Sequence, residues 1–358
     1  MTNDERQIFI KGTETIGEAA IRAGCRFFYA YPITPVTELI EYMARNLSRV
    51  GGTFLQAESE IAAINMAYGT SAAGFRVMTA TSGPGMSLMQ EGLSYLAGAE
   101  LPCVIVNLSR SGPGLGNIFP SQSDYFQATR PGHGDYRLIV LAPSSVQEAA
   151  DLTFLAFHLS DKYRNPAVIL SDGVLGQMVE RVTFSKQQTA NSEQQITNKD
   201  WATTGAKGRE RNVITSVHIQ IKDMSAHIMK LKEKYEELAR DHTRYESYRM
   251  DDAEVALIAF GTVARIATKA IDNLRAVGKK VGLIRPITLF PFPYDAIREA
   301  ASQVKEFMVV EMNLGQMIDD VKLAVMDKRP VHFKGFPGGQ LPKPEEIERM
   351  LGELGGTL

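Results

Sequence analysis

The stretch LQAESEIAAINMAYG (residues 55–69) changes its period midway. Its opening residues complete a short apolar run, TFLQAE (53–58), with the length and composition of a strand. From residue 60 to residue 74 the apolar side chains recur at helical spacing, so a strand hands over to a helix with almost nothing between. Two carboxylates, Glu58 and Glu60, stand at that junction, and Glu60 opens the helical run. A glutamate in a first turn gains about 0.3–1 kcal/mol from the helix dipole, so capping alone accounts for it. The alternative is that the charge acts on something bound at the tip of the strand.

The same succession repeats on both sides. FIKGTETIGEAAIRAGC (9–25) carries Ile16, Ala19, Ala20 and Ala23 on one helical face and stops at Gly24, a C-cap signal. RFFYAYPITP (26–35) is a short strand closed by two prolines, and VTELIEYMARNL (36–47) is an amphipathic helix. FRVMTATS (75–82) is a strand; Gly83-Pro84-Gly85 reads as a turn before a helix from Ser87 to Ala97. PCVIVNLSR (102–110) is almost continuously apolar, as a parallel strand covered on both faces requires. RLIVLAPSS (137–145), a helix from 146 to 163 and PAVILSD (166–172) complete the series. Alternating strands and helices of this kind imply an α/β fold with a parallel sheet between helical layers. Residues 186–250 differ: a polar run is followed by a charged helix whose stripe of Ile228, Leu231, Tyr235 and Leu238 is narrow. From 251 a second α/β unit begins with AEVALIAFG (253–261), a helix over 262–278, the strand KVGLIRPITLFPFP (280–293) and a strand–turn–helix over 306–325.

Bulk properties narrow the function. With 358 residues, 44% hydrophobic and 22% charged, the chain has the make-up of a globular protein with two or three domains. A net charge of −2 gives no basic field for nucleic acid or anionic lipid. No apolar stretch is long enough to span a membrane, and the N-terminus MTNDERQIFIKG lacks a signal-peptide core, so the expected location is the cytoplasm. The two cysteines, Cys25 and Cys103, read as buried thiols; two sulfurs cannot ligate an iron–sulfur cluster. The six histidines show no metal-ligand spacing, and no metal site is expected on this chain. SGPGMS (82–87) and SGPGLG (111–116) follow strands but match neither a P-loop nor a dinucleotide fingerprint. They are either tight turns or places where backbone approaches a ligand. Asp172-Gly173 with Asn198 has roughly the spacing of a diphosphate–magnesium motif, but Ser171 stands where a glycine is needed.

YPITP (31–35), ESEIAAINMAYGTSAAG (58–74), TATSGPGMSLM (79–89), RSGPGLGNIFPSQSDYFQA (110–128), TLFPFP (288–293) and VVEMNLGQ (309–316) together resemble the α subunits of 2-oxoacid:ferredoxin oxidoreductases, over essentially the whole chain. The loop from 112 to 128 with GHGDYRLIVLAPSS (132–145) is most similar to the branched-chain type, which acts on 2-oxoisovalerate (3-methyl-2-oxobutanoate). The resemblance implies a thiamine-diphosphate-binding, pyrimidine-type domain over 1–185, a linker over 186–250 and a transketolase C-terminal-like α/β domain over 251–358. It implies that Glu60 is the catalytic glutamate, bonded to the cofactor's aminopyrimidine and so promoting loss of the thiazolium C2 proton. Thr34 and Arg110 match residues that hold the 2-oxo acid's carboxylate; Ser121, Gln122 and Asp124 would line the substrate pocket. Pro32, Gly83 and Gly85 would seat the cofactor. Because the diphosphate motif and cluster cysteines are missing, the resemblance implies an inactive single chain. A β subunit would bring the diphosphate half and Mg2+, and γ and ferredoxin-like δ subunits or domains the [4Fe–4S] clusters. The expected assembly is a dimerised hetero-oligomer that reduces ferredoxin and acylates coenzyme A. The nearest rivals are 2-oxoglutarate and pyruvate enzymes; a second substrate carboxylate would need a further cation, for which Arg130, His133 and Arg137 are candidates. Rivals of other classes are a structural subunit without catalysis and half of a different thiamine enzyme.

Overall fold

The computed structural model describes residues 6–185 and 199–354; the run 186–198, with Asn198, lies outside the described residues. The first unit runs β1 (Arg6–Lys11), α1 (Gly12–Arg22), β2 (Phe27–Ala30), α2 (Thr37–Asn46), β3 (Thr53–Gln56), α3 (Glu60–Ala72), β4 (Val77–Thr81), α4 (Gly83–Gly98), β5 (Val104–Ser109) and α5 (Tyr125–Thr129). It continues with β6 (Ile139–Leu141), α6 (Val146–Tyr163), β7 (Ala167–Asp172), α7 (Gly173–Gln177) and β8 (Val179–Phe184). After α8 (Ile221–His242) come β9 (Tyr245–Tyr248), β10 (Val255–Ile258), α9 (Gly261–Ala276), β11 (Val281–Pro286), β12 (Thr288–Phe290) and α10 (Tyr294–Gln303). The chain ends with β13 (Glu306–Glu311), α11 (Met317–Val325), β14 (Val331–Gly335) and α12 (Pro344–Leu354).

The large sheet has the order β12-β6-β7-β5-β4-β2-β3, parallel throughout except for β12 at its edge. The second sheet, β14-β13-β10-β11-β9, is parallel except for β9. Every residue of β5 and β7 is buried, because helices cover both faces. Helices α1, α2 and α6 close one face of the large sheet. On the other face the apolar side chains of α3 and α4 join those of α8 and of the second unit in one continuous core. Each buried Leu, Ile or Phe there contributes about 1.5–3 kcal/mol relative to exposure. Cys25 and Cys103 are free and buried, and burial pushes both thiols up, that of Cys25 to about 12. Among the described residues no helix is long and apolar enough to cross a membrane.

Three elements differ from the sequence reading. Helix α4 starts at Gly83, so Gly83-Pro84-Gly85 is its first turn; proline is tolerated there because that turn's N–H groups lack intrahelical partners. The run 280–293 is two strands in two sheets, parted at Ile287. The carbonyl of Arg244 accepts from both Ile287 N (3.0 Å) and Thr288 N (3.1 Å), and Ala142 N donates to Ile287 O (2.8 Å). Residues 245–248, within the stretch read as linker, pair with β11. Arg285 of β11 reinforces this seam: its fork grips Glu148 of α6 at 2.9 and 2.8 Å while its Nε donates to Glu246 of β9 at 2.7 Å. Helix α8 buries Leu231, Tyr235 and Leu238 of its stripe, with Ile228 half-buried.

Candidate functional site

Because β2, β4, β5 and β7 are parallel, their carboxyl ends share one edge, where open α/β sheets place their sites. Helix α3 begins there. Ser59 is its N-cap, accepting from Ala62 N at 3.2 Å, so the cap is already supplied by a neutral side chain. The two carboxylates separate at this point: Glu58 is exposed, and Glu60 is only 4% exposed. The Glu60 carboxylate nevertheless accepts no hydrogen bond from any described residue. Neither oxygen is among the fully enclosed polar atoms that lack a partner, so the carboxylate keeps an open side from which a ligand can bring a donor.

The loop after β5 supplies the next group. Arg110 sits half-buried in an isolated bridge to Pro120 and donates to Thr34 O (3.0 Å) and Leu115 O (3.2 Å). Of the five N–H groups of a guanidinium, those two bonds leave three without an acceptor among the described residues, the buried Nε–H among them. Arg110 is thus tied to the YPITP turn through the backbone of Thr34, whose own side chain is exposed and whose neighbour Pro32 is half-buried. An anchored fork with free donors is suited to a carboxylate.

Arg110 lines a cleft of about 670 Å³ between the two units. Gly83, Ser121 and Asp124 share its lining; so do Met312, Asn313, Leu314, Gln316 and Gly338 of the second unit. Asp124 is nearly buried, faces the first turn of α4 across Gly83 and accepts from Asn107 Nδ2 at 3.2 Å. Burial pushes its carboxyl from 3.8 up to about 6, against the opposing pull of Ser109, Asn107, Arg110 and the Gly83 N–H. Between those values the folded chain holds a proton that the unfolded chain releases, so stability falls as pH rises from about 4 to about 6. Asp124→Asn should remove that slope, a change of a few degrees in melting temperature over the interval. A slope as steep in the variant as in the parent would refute the assignment.

Gln122 does not line the cleft, and neither do Glu60, Thr34, Pro32 and Gly85. In Gln122 the reason is plain. Its amide is committed to the seam between the units, donating to Phe260 O (2.8 Å) and accepting from Met312 N (3.1 Å). Its backbone N–H donates to Met312 O (3.1 Å), and Ser121 Oγ also donates to that carbonyl. The far wall went unread in the sequence, although VVEMNLGQ was legible as a string. There Glu311, fully buried, accepts from Met317 N (2.9 Å), Ile318 N (3.0 Å) and Asn313 Nδ2 (2.9 Å), fixing the turn that carries Asn313, Leu314 and Gln316. Gln316 reaches back to Ser123 O and Phe126 N, both at 2.8 Å. Neither Arg130 nor Arg137 lines this cleft: Arg130 pairs with Asp320 at 3.0 Å in another depression, which Arg137 also lines. His133 is exposed and outside it too.

The residues present fit the pyrimidine half of thiamine diphosphate, whose ring nitrogens meet the need of the unpartnered Glu60. They do not supply the diphosphate half. Asp172, the one acidic residue with a matching neighbourhood, caps α7 instead, accepting from Val174 N (2.8 Å) and Leu175 N (3.3 Å).

Residues 18–248 match the family described as pyruvate flavodoxin/ferredoxin oxidoreductase, thiamine diphosphate-binding, and residues 253–347 match pyruvate:ferredoxin oxidoreductase core domain II. The chain is 49% identical to the ketoisovalerate oxidoreductase subunit VorB of Methanothermobacter marburgensis, over 97% of each chain. It is 36% identical to the 2-oxoglutarate synthase subunit KorA of Methanocaldococcus jannaschii, over 96% of this chain and 98% of that one. The structure of 2-oxoglutarate:ferredoxin oxidoreductase from Magnetococcus marinus, with 2-oxoglutarate, coenzyme A and succinyl-CoA bound, superposes with a TM-score of 0.88 at 28% identity. The match covers 98% of this chain and 66% of that one. The chain therefore belongs to the pyruvate flavodoxin/ferredoxin oxidoreductase family and carries that family's thiamine-diphosphate-binding domain followed by its core domain II.

Proposed function

We propose that this chain is the α subunit of a 2-oxoacid:ferredoxin oxidoreductase that converts a branched-chain 2-oxo acid to its acyl-CoA and carbon dioxide. The observation that carries the reading is the buried, donor-free carboxylate of Glu60 at the strand tips. When bound, thiamine diphosphate supplies the carbon nucleophile for the substrate's 2-oxo group. Glu60 holds a proton at its carboxylate against the pyrimidine ring, which orients the ring and lets it act as a base. Arg110 binds the substrate carboxylate, with the Thr34 hydroxyl beside it. The turn at Asn313 and Leu314 closes the cleft from the second unit and excludes water.

The diphosphate, its Mg2+ and the iron–sulfur clusters belong on partner chains, a β subunit and γ- and δ-type subunits or domains, with ferredoxin as acceptor and coenzyme A taking the acyl group. Two observations favour a branched-chain substrate. The ketoisovalerate subunit is more similar in sequence than the 2-oxoglutarate one. Arg110 is also the one cation among the described residues that line the cleft, which suits a substrate with a single carboxylate. The bound ligands of the Magnetococcus structure favour the rival, 2-oxoglutarate. Coenzyme-A-dependent ferredoxin reduction by the assembled complex separates them: kcat/KM for 2-oxoisovalerate should exceed that for 2-oxoglutarate by at least about tenfold, because the second carboxylate of 2-oxoglutarate would lose water without gaining a cation. The reverse order would sink the branched-chain reading, and no reduction with any 2-oxo acid would sink the family activity.

A further inference from the structure

Gly85 occupies the first turn of α4 with an ordinary helical backbone; its φ is not positive, so the freedom peculiar to glycine is unused there. Glycine is also the poorest helix former after proline, so the helix itself gains nothing from it. What the position requires is space. A Cβ built on Gly85 would stand 2.3 Å from Glu60 Oε1, 2.8 Å from Glu60 Cδ and 2.1 Å from Thr81 Oγ1. These are side-chain atoms of buried residues, so an added methyl must push them aside. Thr81 is fully buried, and Glu60 is wedged at the start of α3 at 4% exposure. Two turns further along α4, Gly92 shows the same closeness to α3: a Cβ there would meet Ile64 Cγ2 at 2.5 Å. The two glycines therefore bring α3 and α4 together along one line, and the Glu60 end of that line holds a carboxylate instead of an apolar side chain.

We propose that Gly85 is the positioning residue for Glu60: the missing side chain fixes where the carboxylate lies and leaves both of its oxygens to the bound heterocycle. The proposal rests on the reading of Glu60 given above. Since no described donor holds the carboxylate, its place is set by packing, and packing at this point means the surface of Gly85. A methyl group there would drive the carboxylate off by roughly an ångström, a displacement that can lower turnover about a hundredfold.

Three measurements on the assembled complex test this. In Gly85→Ala, kcat should fall by about a hundredfold while KM for the 2-oxo acid stays near that of the parent, because Arg110 is untouched. The dissociation constant for thiamine diphosphate should rise about tenfold, an order-of-magnitude estimate from the same loss of fit. Melting temperatures of Glu60→Ala, Gly85→Ala and the double variant supply a readout independent of activity. The fall caused by Gly85→Ala should be measurably smaller once residue 60 has no carboxylate to displace, the remainder coming from Thr81 Oγ1, which the methyl still meets. Gly69→Ala in α3, where a Cβ meets nothing within 4 Å, serves as the neutral control. Additive melting shifts, or a Gly85→Ala complex with parental kcat and cofactor affinity, would overturn the proposal. If Glu60→Gln were fully active, the reading of Glu60 would fail first; an inactive Glu60→Gln beside a fully active Gly85→Ala defeats this proposal alone.

Discussion

Glu60→Gln is expected to reduce turnover by about 10²–10⁴-fold, the contribution of a positioned acid–base group, with the subunits still assembled. The substitution keeps the shape and removes the chemistry. An amide fits the space beside Gly85 and at the head of α3, and the cap is unaffected because Ser59 provides it. Gln can still offer a hydrogen-bond acceptor to a ring nitrogen, but it cannot take up and release a proton. Folding should be unharmed, because the amide has nearly the size and shape of the carboxylate it replaces. Carbon dioxide release and ferredoxin reduction by the reconstituted complex measure the first effect; gel filtration and thermal melts measure the second. Turnover at the parental rate would remove Glu60 from the mechanism. A variant that loses both activity and assembly would show that the carboxylate is structural.

How much of this was legible beforehand depends on the range over which a signal acts. The parallel sheet was readable because β5 and β7 are apolar over most of their length, a local property that only strands covered on both faces need. The Gly24 stop was readable because a left-handed residue ends α1, and Gly24 has φ 79°. Periodicity could not separate Glu58 from Glu60, since both stand at the same junction; the surrounding string did, and burial now gives the physical difference. Gln122 was misread through adjacency. Its neighbours Ser121 and Ser123 line the cleft, whereas the Gln122 amide is held in the seam by Phe260 O and Met312 N, contacts that only the tertiary fold supplies. The far wall, from Met312 to Gln316, lies some 190 residues away along the chain, as the spacing of the Phe126–Gln316 bond shows, and no local period carries that distance. The split of 280–293 into two strands is likewise set by what each half pairs with: β10 for one and β6 for the other.

Arg110→Ala should lower kcat/KM for the 2-oxo acid by about 10²–10³-fold, within the roughly 2–5 kcal/mol that loss of one partner of a desolvated charge pair entails. Most of the loss should appear in KM, since the substrate carboxylate is bound alike before and during the reaction. The guanidinium has two roles, which separate by substitution. Two of its donors tie the loop after β5 to Thr34 O and Leu115 O, and the remaining three have no acceptor among the described residues. Lysine restores the charge but not the planar fork, so Arg110→Lys should recover only part of the loss and leave the loop less well held. If the free donors hold the carboxylate, added guanidinium should rescue Arg110→Ala by refilling the space with the same planar cation, lowering KM in a concentration-dependent way. If the residue serves only to hold the loop, Arg110→Ala should lower the melting temperature and guanidinium should not improve KM. Parental KM in both variants would place the substrate carboxylate elsewhere. Asp124 sharpens the test, because it lies close enough for Arg110 to lower its pKa: without that cation its carboxyl should titrate above about 6, a shift that NMR can follow without any substrate present.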